Sequence, residues 1–325
     1  MRTRTTVWLI IAASLVLIGC ILFVGVMTTL KWDFMELATV KYETNTYEIS
    51  EAFDDISMIT DTADIAFVLS DDGNCRVECH EEANAKHSVT VEDGTLTVEL
   101  NDERFVHDFI GYIGLNFGSP KITVYLPKAE YDLLYINEDT GDIEMPNDLK
   151  FESTDISLST GNVSFLASVS GLLKIKTSTG NICVKDISAG VLALSVSTGR
   201  IMVSDIICED SVDINVTTGK ANITNLNCKN IVSAGTTGNI SLNNVIVAEK
   251  IRIKRSTGDV EFDGCDAAEI FVETDTGDVV GEILSEKVFL VKTDIGKVQV
   301  PKTISGGKFE VITDTGDIKI VIKDL

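Results

Sequence analysis

The chain has 325 residues, 44% of them hydrophobic, which is enough to bury a sizeable core. Its formal net charge of −23 argues against a nucleic-acid partner, because binding phosphates requires a basic surface. Acidity on this scale is typical of solubility and self-avoidance. The abundance of Val, Ile and Thr favours strands over helices.

The first predicted element is a membrane anchor. Residues 7–30 form an uncharged run of 24 residues. At about 1.5 Å per residue, such a helix crosses a bilayer core of about 30 Å. Trp8 and Trp32 lie at its two ends, where indole side chains favour the headgroup region. Two arginines in residues 1–6 predict a cytoplasmic tail under the positive-inside rule, with the C-terminal domain outside the cell.

Two other interpretations of this segment stay open. The stretch Leu17-Ile18-Gly19-Cys20 resembles a lipobox, in which Cys20 would be cleaved and lipidated. However, the residues after it remain apolar, where a lipoprotein turns polar. A cleaved signal peptide would have a shorter apolar region, of about 7–15 residues. We therefore favour an uncleaved anchor, followed by a linker over residues 31–48.

Residues 49–130 predict an irregular N-terminal β region with a cap. The stretch "DTADIAF" resembles a degenerate form of a later repeat, with Ala63 in the place of a glycine. Residues 88–100 alternate around an Asp-Gly pair and predict a hairpin. Residues 101–119 carry aromatic side chains among glycines. We interpret them as a cap over the open first coil, with an exposed loop that touches a membrane or partner as the alternative.

Cysteines and histidines in this region raise the question of a metal site. Cys75 and Cys79 share one face of a strand, and a metal site could be drawn from them with His80 and His87. The spacing fits no standard zinc motif, and His80 would point away from the cysteines. We expect the cysteines to be small buried hydrophobes without a metal.

A short corner recurs along the rest of the chain. Its glycine follows Thr in nine of ten copies, and apolar residues alternate on both sides. Successive glycines are 19 or 20 residues apart, which is too short for helix-pair repeats. The ten glycines are Gly141, Gly161, Gly180, Gly199, Gly219, Gly238, Gly258, Gly277, Gly296 and Gly316.

These repeats predict an all-β fold, a parallel β-solenoid (β-helix) over residues 131–325, preceded by one N-terminal transmembrane helix. Each coil has 19 or 20 residues. Glycine recurs because the corner needs φ > 0 or a close backbone approach. Threonine recurs because stacked hydroxyls can hydrogen-bond along the rod.

Phe289 and Phe309 predict a core stack. Cys208 and Cys228 predict a ladder of reduced thiols, with a disulfide as the alternative.

The stretch "KITVYLPKAEYDLLYINEDTGDIEM" (residues 121–145) precedes serial Ser-Thr-Gly-Asn/Asp-Ile corners. Together they resemble the bacterial putative-adhesin domain family of unknown function, which includes LiaG-like proteins. The similarity covers roughly residues 49–325. It implies an envelope-associated, adhesin-like β-solenoid without catalytic residues or cofactors to transfer. Some relatives are encoded near envelope-stress regulators, so a sensing or accessory role is an alternative implication.

Parallel β-helices also include polysaccharide-active enzymes, which is the second alternative. Such enzymes need an acid pair, or carboxylates clustered with a basic residue. Here Arg200 lies on a different coil from Arg252 and Arg255, without an obvious acid cluster, and the three histidines precede the regular repeats. We therefore expect no enzyme activity and no catalytic residue. A cell-envelope component or a protein is the expected partner, besides the membrane at residues 7–30.

Aspartates at the last corners are the remaining site candidates. Asp275, Asp294 and Asp314 lie two residues before their glycines in three successive repeats. In water, carboxylates stacked about 5 Å apart repel by only about 1 kcal/mol per pair. We favour a solvated acidic face, with a weak calcium site at these three residues as the alternative. A second row follows the glycines and is interrupted by Lys297; it comprises Asp259, Asp278 and Asp317.

Overall fold

The computed structural model describes residues 2–32, 41–102 and 119–323. One helix, α1 at Arg2–Thr29, precedes 21 strands that belong to one continuous sheet system. Thr6–Thr29 of this helix is long and apolar enough to cross a membrane. The predicted anchor is therefore helical, and the helix begins within the expected cytoplasmic tail.

The strands fall into an N-terminal group, a regular middle and a C-terminal group. The first group is β1 (Tyr42–Ile49), β2 (Asp55–Thr62), β3 (Asp64–Leu69), β4 (Cys75–Glu82), β5 (Ala85–Glu92), β6 (Thr95–Asp102) and β7 (Lys121–Leu126). The second is β8 (Glu130–Thr140), β9 (Ile143–Met145), β10 (Lys150–Thr160), β11 (Val163–Phe165), β12 (Ser168–Lys185), β13 (Ser188–Cys208), β14 (Ser211–Thr237), β15 (Ile240–Thr257), β16 (Val260–Thr276) and β17 (Val279–Ile283). The third is β18 (Lys287–Ile295), β19 (Val298–Gln299), β20 (Gly307–Thr315) and β21 (Ile318–Ile322).

The regular coils pair in parallel with their corners in register. Gly199 lies opposite Gly180 on one side and Gly219 on the other. Along each strand buried and exposed residues alternate, so that aliphatic side chains of successive coils form one continuous core. The fold is the parallel β-solenoid that the repeats predict, with the helix before it.

The corner glycines are needed because neighbouring backbones approach closely there. Gly199 has φ of +149°, and a Cβ atom on it would lie 1.7 Å from the carbonyl oxygen of Gly180. At all ten corner glycines this distance to the carbonyl oxygen of the neighbouring coil lies between 1.7 and 2.2 Å. No side chain fits such a space without moving the backbone, so the predicted role of the glycine is confirmed.

The threonines that hydrogen-bond across coils are not those that the repeat predicts. The residue directly before the glycine is exposed, as at Thr179. The bonding threonines lie three before the glycine, are largely buried and donate to a glycine carbonyl of the adjacent coil. These bonds are Thr177 to Gly161 (3.4 Å), Thr274 to Gly258 (3.3 Å), Thr313 to Gly277 (3.3 Å) and Thr293 to Gly316 (2.9 Å).

The same inward column holds a buried arginine. Arg255 is 2% exposed, and its guanidinium donates to the carbonyls of Val216 and Ala234 and to the Ser233 hydroxyl. Gly235 leaves space for it, because a Cβ atom there would lie 1.7 Å from the Arg255 Nη1 atom. Burial lowers the pKa of Arg255 to about 10. Its role is thus to satisfy core carbonyls.

At the C-terminal end the coils do not stack in sequence order. β20 pairs with β16 on one side and with β18 on the other, so the last coil of the chain lies between the two before it. Gly306 and Gly307 permit this crossing, since Cβ atoms there would lie 1.8 Å from the carbonyl oxygens of Glu286 and Ala268, respectively. The expectation of successive stacking is therefore wrong here. The insertion gives the final strands partners on both sides, which opposes fraying of the terminus.

The predicted aromatic stack is present, although the last coil lies between the two coils before it. Phe289 on β18 lies opposite Phe309 on β20, with ring centroids 5.4 Å apart.

At the N-terminal end, too, the coils do not stack in sequence order. β2 pairs with β6 and β8, and β3 pairs with β7 and β9, so the coil around Ala63 lies second in the stack. β6 and β7 form the first coil. Three antiparallel strands cover it, since β5 pairs with β6, β4 with β7, and β1 with β4. We call β1, β4 and β5 the cap.

Two expected boundaries change as a result. β1 occupies much of the expected linker at 31–48, because its residues pair with β4 and the Tyr47 hydroxyl donates to the His87 carbonyl at 3.0 Å. Parallel stacking already begins at β2, before residue 131. The predicted hairpin is confirmed by the antiparallel pairing of β5 and β6. Of the cap expected at 101–119, residues 103–118 lie outside the described residues.

Replacing Gly199 with Ala tests the close approach at the corners. We expect Gly199→Ala to lower the free energy of unfolding by about 1–3 kcal/mol, because the added Cβ atom meets backbone.

Gly264→Ala is the control for positive φ alone, since Gly264 has φ of +61° and a Cβ atom on it would meet no atom of a non-adjacent residue within 4 Å. Gly141→Ala is the control for the contact alone, since Gly141 is not among the positive-φ glycines but a Cβ atom on it would lie 1.9 Å from the Ala63 carbonyl oxygen. Chemical denaturation should show a smaller loss for Gly264→Ala than for the two variants with the contact. Equal losses for Gly199→Ala and Gly264→Ala, with none for Gly141→Ala, would mean that backbone strain, and not the contact, selects glycine.

Glu138 makes the stability of the solenoid depend on pH. It lies in the inward column, 2% exposed, where its Oε1 atom accepts the backbone N–H of Ala63 at 2.8 Å. Burial raises the pKa of Glu138 from 4.5 to about 8. Its stabilising contribution is therefore fully present below the ordinary value and lost as the pH rises through about 8.

Thermal melts across this range should show stability that falls with rising pH. Glu138→Gln should flatten that fall and raise the melting temperature at neutral pH, since an amide keeps the Ala63 contact without a charge. Glu144→Gln, which changes an exposed carboxylate on β9 of the same coil, should leave the profile unchanged. A lower melting temperature for Glu138→Gln at neutral pH would indicate an ionised Glu138 and contradict the assignment.

Candidate functional site

The three candidate calcium ligands lie in one exposed column, but in a different order. The register places Asp314 between Asp275 and Asp294. Asp294 pairs with Lys292 at 3.0 Å. Within the described ranges, these carboxylates do not belong to any group of three ligand atoms lying within 4.8 Å of one another. The geometry is that of a solvated acidic face.

The second acidic row is part of the backbone hydrogen bonding. Asp259 Oδ1 accepts the N–H of Asp278 at 2.9 Å, and Asp278 Oδ1 accepts that of Asp317 at 2.7 Å. Asp317 Oδ1 then accepts the N–H of Lys297 at 2.8 Å. Lys297 therefore ends this row and does not interrupt it as expected, because of the exchanged coils. Each carboxylate binds the corner of the next coil, which gives the row a structural role.

A buried polar cluster lies inside the cap. β4 turns Cys79 and Glu81 inward at alternate positions, and β5 brings His87 to them. One ligand atom of each residue lies within 4.8 Å of the others. Cys79 is fully buried, while Glu81 and His87 are 1% and 4% exposed. Burial, with a smaller contribution from the Glu81 charge, raises the pKa of the Cys79 thiol to about 12.

Hydrogen bonds fix one side of this cluster. Glu81 Oε2 lies 2.7 Å from His87 Nδ1 and accepts the His87 backbone N–H at 2.6 Å. Glu81 Oε1 accepts from Asn45 Nδ2 at 2.7 Å. On the other side, His87 Nε2 is buried and has no hydrogen-bond partner in the described part of the chain. The imidazole is therefore held in place with one nitrogen unsatisfied.

A cavity of about 220 Å³ adjoins the cluster. Glu81 and His87 form part of its wall, and Asp61 and Glu82 add further acidic groups. This arrangement can attract a cation, and it can offer sulfur, nitrogen and oxygen ligands together.

The sequence identified only part of this cluster. Cys79 faces inward as expected, and His80 points away, with its Nδ1 atom 3.0 Å from the Thr44 hydroxyl. Cys75 is buried but lies outside the cluster. Glu81 was not among the predicted candidates. The signal for it was a charged residue at an inward position, two after Cys79, in an otherwise apolar alternation.

The residues considered for catalysis are not brought together. Arg252 lies over the ring of Phe271, 4.9 Å from its centroid, and Arg255 is enclosed in the core. Among the described residues no hydroxyl or thiol is hydrogen-bonded to the His87 imidazole, so its pair with Glu81 activates no nucleophile there. His107 lies outside the described residues.

A family model described as Toastrack DUF4097 matches residues 53–226 and 207–325. The chain belongs to this family. The match confirms the resemblance carried by the repeated corners. The two matched ranges overlap by about one coil, as expected where repeats of one kind follow each other. In this Toastrack chain α1 and β1 precede the matched region, so β1 is an addition to the repeating unit.

Solved structures similar to this Toastrack chain have low sequence identity. One is a putative lipid binding protein from Parabacteroides distasonis, with 19% identity, TM-score 0.44 and coverage of 87% of this chain and 98% of the other. Another is a putative adhesin from Bacteroides fragilis, with 16% identity, TM-score 0.38 and coverage of 86% and 97%. Likeness at this level carries no functional argument. None of these descriptions names an enzyme activity, and no curated protein gives a significant match.

Two further cysteines of the Toastrack coils lie where the repeats predict. Cys208 and Cys228 occupy adjacent coils, and both are buried free thiols. Burial raises the pKa of Cys228 to about 12 and raises that of Cys208 as well. Such thiols are poor nucleophiles, which gives these cysteines a packing role.

Changing Asp278 tests the structural role of the second acidic row, and adding calcium tests the column of Asp275, Asp294 and Asp314. Asp278→Ala removes the acceptor for the Asp317 N–H and should lower stability by about 0.5–1.5 kcal/mol. Asp278→Asn keeps an acceptor and removes repulsion, so it should match or exceed the native stability. Millimolar calcium added after EDTA treatment should leave all melting temperatures unchanged. A rise of several degrees that Asp294→Asn abolishes would instead support a calcium site.

Proposed function

We propose that this chain is a single-pass membrane protein whose extracellular β-solenoid binds an envelope protein in an adhesin-like manner. Support for the anchor comes from α1, whose most apolar window has a mean hydropathy of 3.0 and no buried residue. An apolar helix whose side chains are this exposed is stabilised by a bilayer. The arginines before it support a cytoplasmic N-terminus.

The observation that carries the binding proposal is the reversed charge of the outermost C-terminal coil. Residues 287–306 contain four lysines and one aspartate, in a chain of net charge −23. Two of these lysines form ion pairs, Lys287 with Asp266 and Lys292 with Asp294. Lys297 and Lys302 are exposed. This end of the stack therefore attracts an acidic partner, while the sides of the rod repel one.

The same coil exposes apolar side chains and a free strand edge. In the described chain β18 pairs only with β20, which leaves its outer backbone groups available. The exposed aliphatic residues are Leu290 (51%), Ile295 (69%), Val298 (47%) and Ile304 (99%). Lysines on an edge also discourage self-association. Protection against self-association does not require large exposed apolar side chains beside the lysines. A binding surface does require them.

These features together fit an extended acidic segment of a protein partner. Such a segment can add to β18 as a further strand, with backbone hydrogen bonds providing affinity. Its acidic side chains would meet the lysines, and its apolar ones would cover the exposed aliphatic residues.

Photocrosslinking in living cells tests the proposal on the full-length protein. A photoreactive phenylalanine analogue replaces Ile304, and in the control it replaces Ile207, which is 61% exposed within the regular coils. We expect the protein to stay with alkali-washed membranes. We also expect an adduct with an envelope protein from position 304 only, reduced several-fold by Lys297→Glu with Lys302→Glu.

Three results would contradict parts of this proposal. A soluble protein lacking its first residues would overturn the anchor, and a lipid on Cys20 would make the protein a lipoprotein. Equal adducts from both positions, or none from position 304, would overturn binding at the open end.

A further inference from the structure

The buried cluster of the cap has the ligand types of a transition-metal site. Cys79, Glu81 and His87 offer a thiol, a carboxylate and an imidazole, with one ligand atom of each within 4.8 Å of the others. This is the one such group found in residues 2–32, 41–102 and 119–323. Zinc is bound by the same three ligand types, whereas calcium and magnesium prefer oxygen alone.

A purely structural role explains only half of the cluster. As an ion pair, Glu81 and His87 would tie β4 to β5, and Asn45 would complete the carboxylate's hydrogen bonds. That role leaves His87 Nε2 buried without a partner. A buried polar atom without a partner destabilises the folded state. It also leaves unexplained why Cys79 faces the pair.

The adjoining cavity supplies room for a bound ion and for water. Its volume of about 220 Å³ exceeds the roughly 30 Å³ that one water molecule occupies. Asp61 and Glu82 also line it. The ion itself can serve as the missing partner of His87 Nε2.

We propose that Cys79, Glu81 and His87 bind one divalent transition-metal ion of the zinc class. The ion takes the place of the proton on the Cys79 thiol and relieves the charge of Glu81, so binding releases protons to the solvent. Three protein ligands leave a fourth position for water from the cavity. Asn45 and Tyr47 support the site from outside by holding Glu81 and the backbone of His87. The ion then fastens the hairpin of β4 and β5 over the first coil.

Cobalt titration tests the site on full-length protein in detergent after EDTA treatment and dialysis. One equivalent of Co²⁺ should produce a thiolate-to-metal charge-transfer band, and zinc should then remove it. Cys79→Ser should abolish the band, and His87→Gln should weaken binding at least tenfold. Cys75→Ser is the matched control, since Cys75 is buried on the same face of β4 but outside the cluster. It should leave the titration unchanged.

A measurement on the unmodified protein covers the case in which a variant fails to fold. X-ray absorption of the zinc-loaded protein should show one sulfur neighbour at about 2.3 Å with nitrogen or oxygen neighbours at about 2.0–2.2 Å. Zinc should also raise the melting temperature of the native chain and not that of Cys79→Ser. Absence of the cobalt band, a band that persists in Cys79→Ser, or a zinc spectrum without sulfur would overturn the proposal.

Discussion

The close approach of backbones at the corner determines most of this structure. Each corner glycine lies so near the carbonyl of the next coil that even a Cβ atom would overlap it. Coils that meet this closely must share one register, because a shift by one residue would put a side chain into the contact and turn the core residues outward. Aliphatic columns, the inward threonines and the acidic row are all consequences of that fixed register. In the sequence, the same contact appears as a glycine that recurs every 19 or 20 residues.

A stack of parallel coils has two ends, and this chain treats them differently. At both ends the coil order is exchanged, so that the first coil-forming strand of the chain, β2, and the last long one, β20, gain partners on both sides. Only the N-terminal end then receives antiparallel strands as a cover. The other end keeps a free edge and a basic, apolar surface on an acidic protein. The proposed binding surface therefore lies at the end opposite the cap, and β1, which follows α1 in the chain, belongs to the cap.

The repeated parts of the fold were predictable, and the departures from repetition were not. Ala63 could be recognised as a glycine substitute, and Phe289 could be paired with Phe309, because register alone determines both. The register does not determine the order of the last coils, because each coil presents the same corner spacing to its neighbours. In the sequence, only the pair Gly306-Gly307 indicates this order. These glycines lie outside the repeated corners, so the spacing of the corners does not explain them. Likewise, the spacing of Cys79, Glu81 and His87 has meaning only once the hairpin between them is folded.

Polar chemistry collects in the cap because the solenoid interior restricts it. A side chain inside a regular coil faces nearly the same neighbours as its equivalents above and below, so a polar group there must find a backbone partner. Arg255 does so with two carbonyls, at the cost of a glycine at position 235 to make room. Glu138 does so with one N–H, and burial then shifts its pKa towards the neutral form. The cap is free of this restriction, because its antiparallel strands differ from each other and leave a cavity beside them. A site for a ligand or an ion is therefore expected where the repetition ends, and the buried thiol, carboxylate and imidazole lie there.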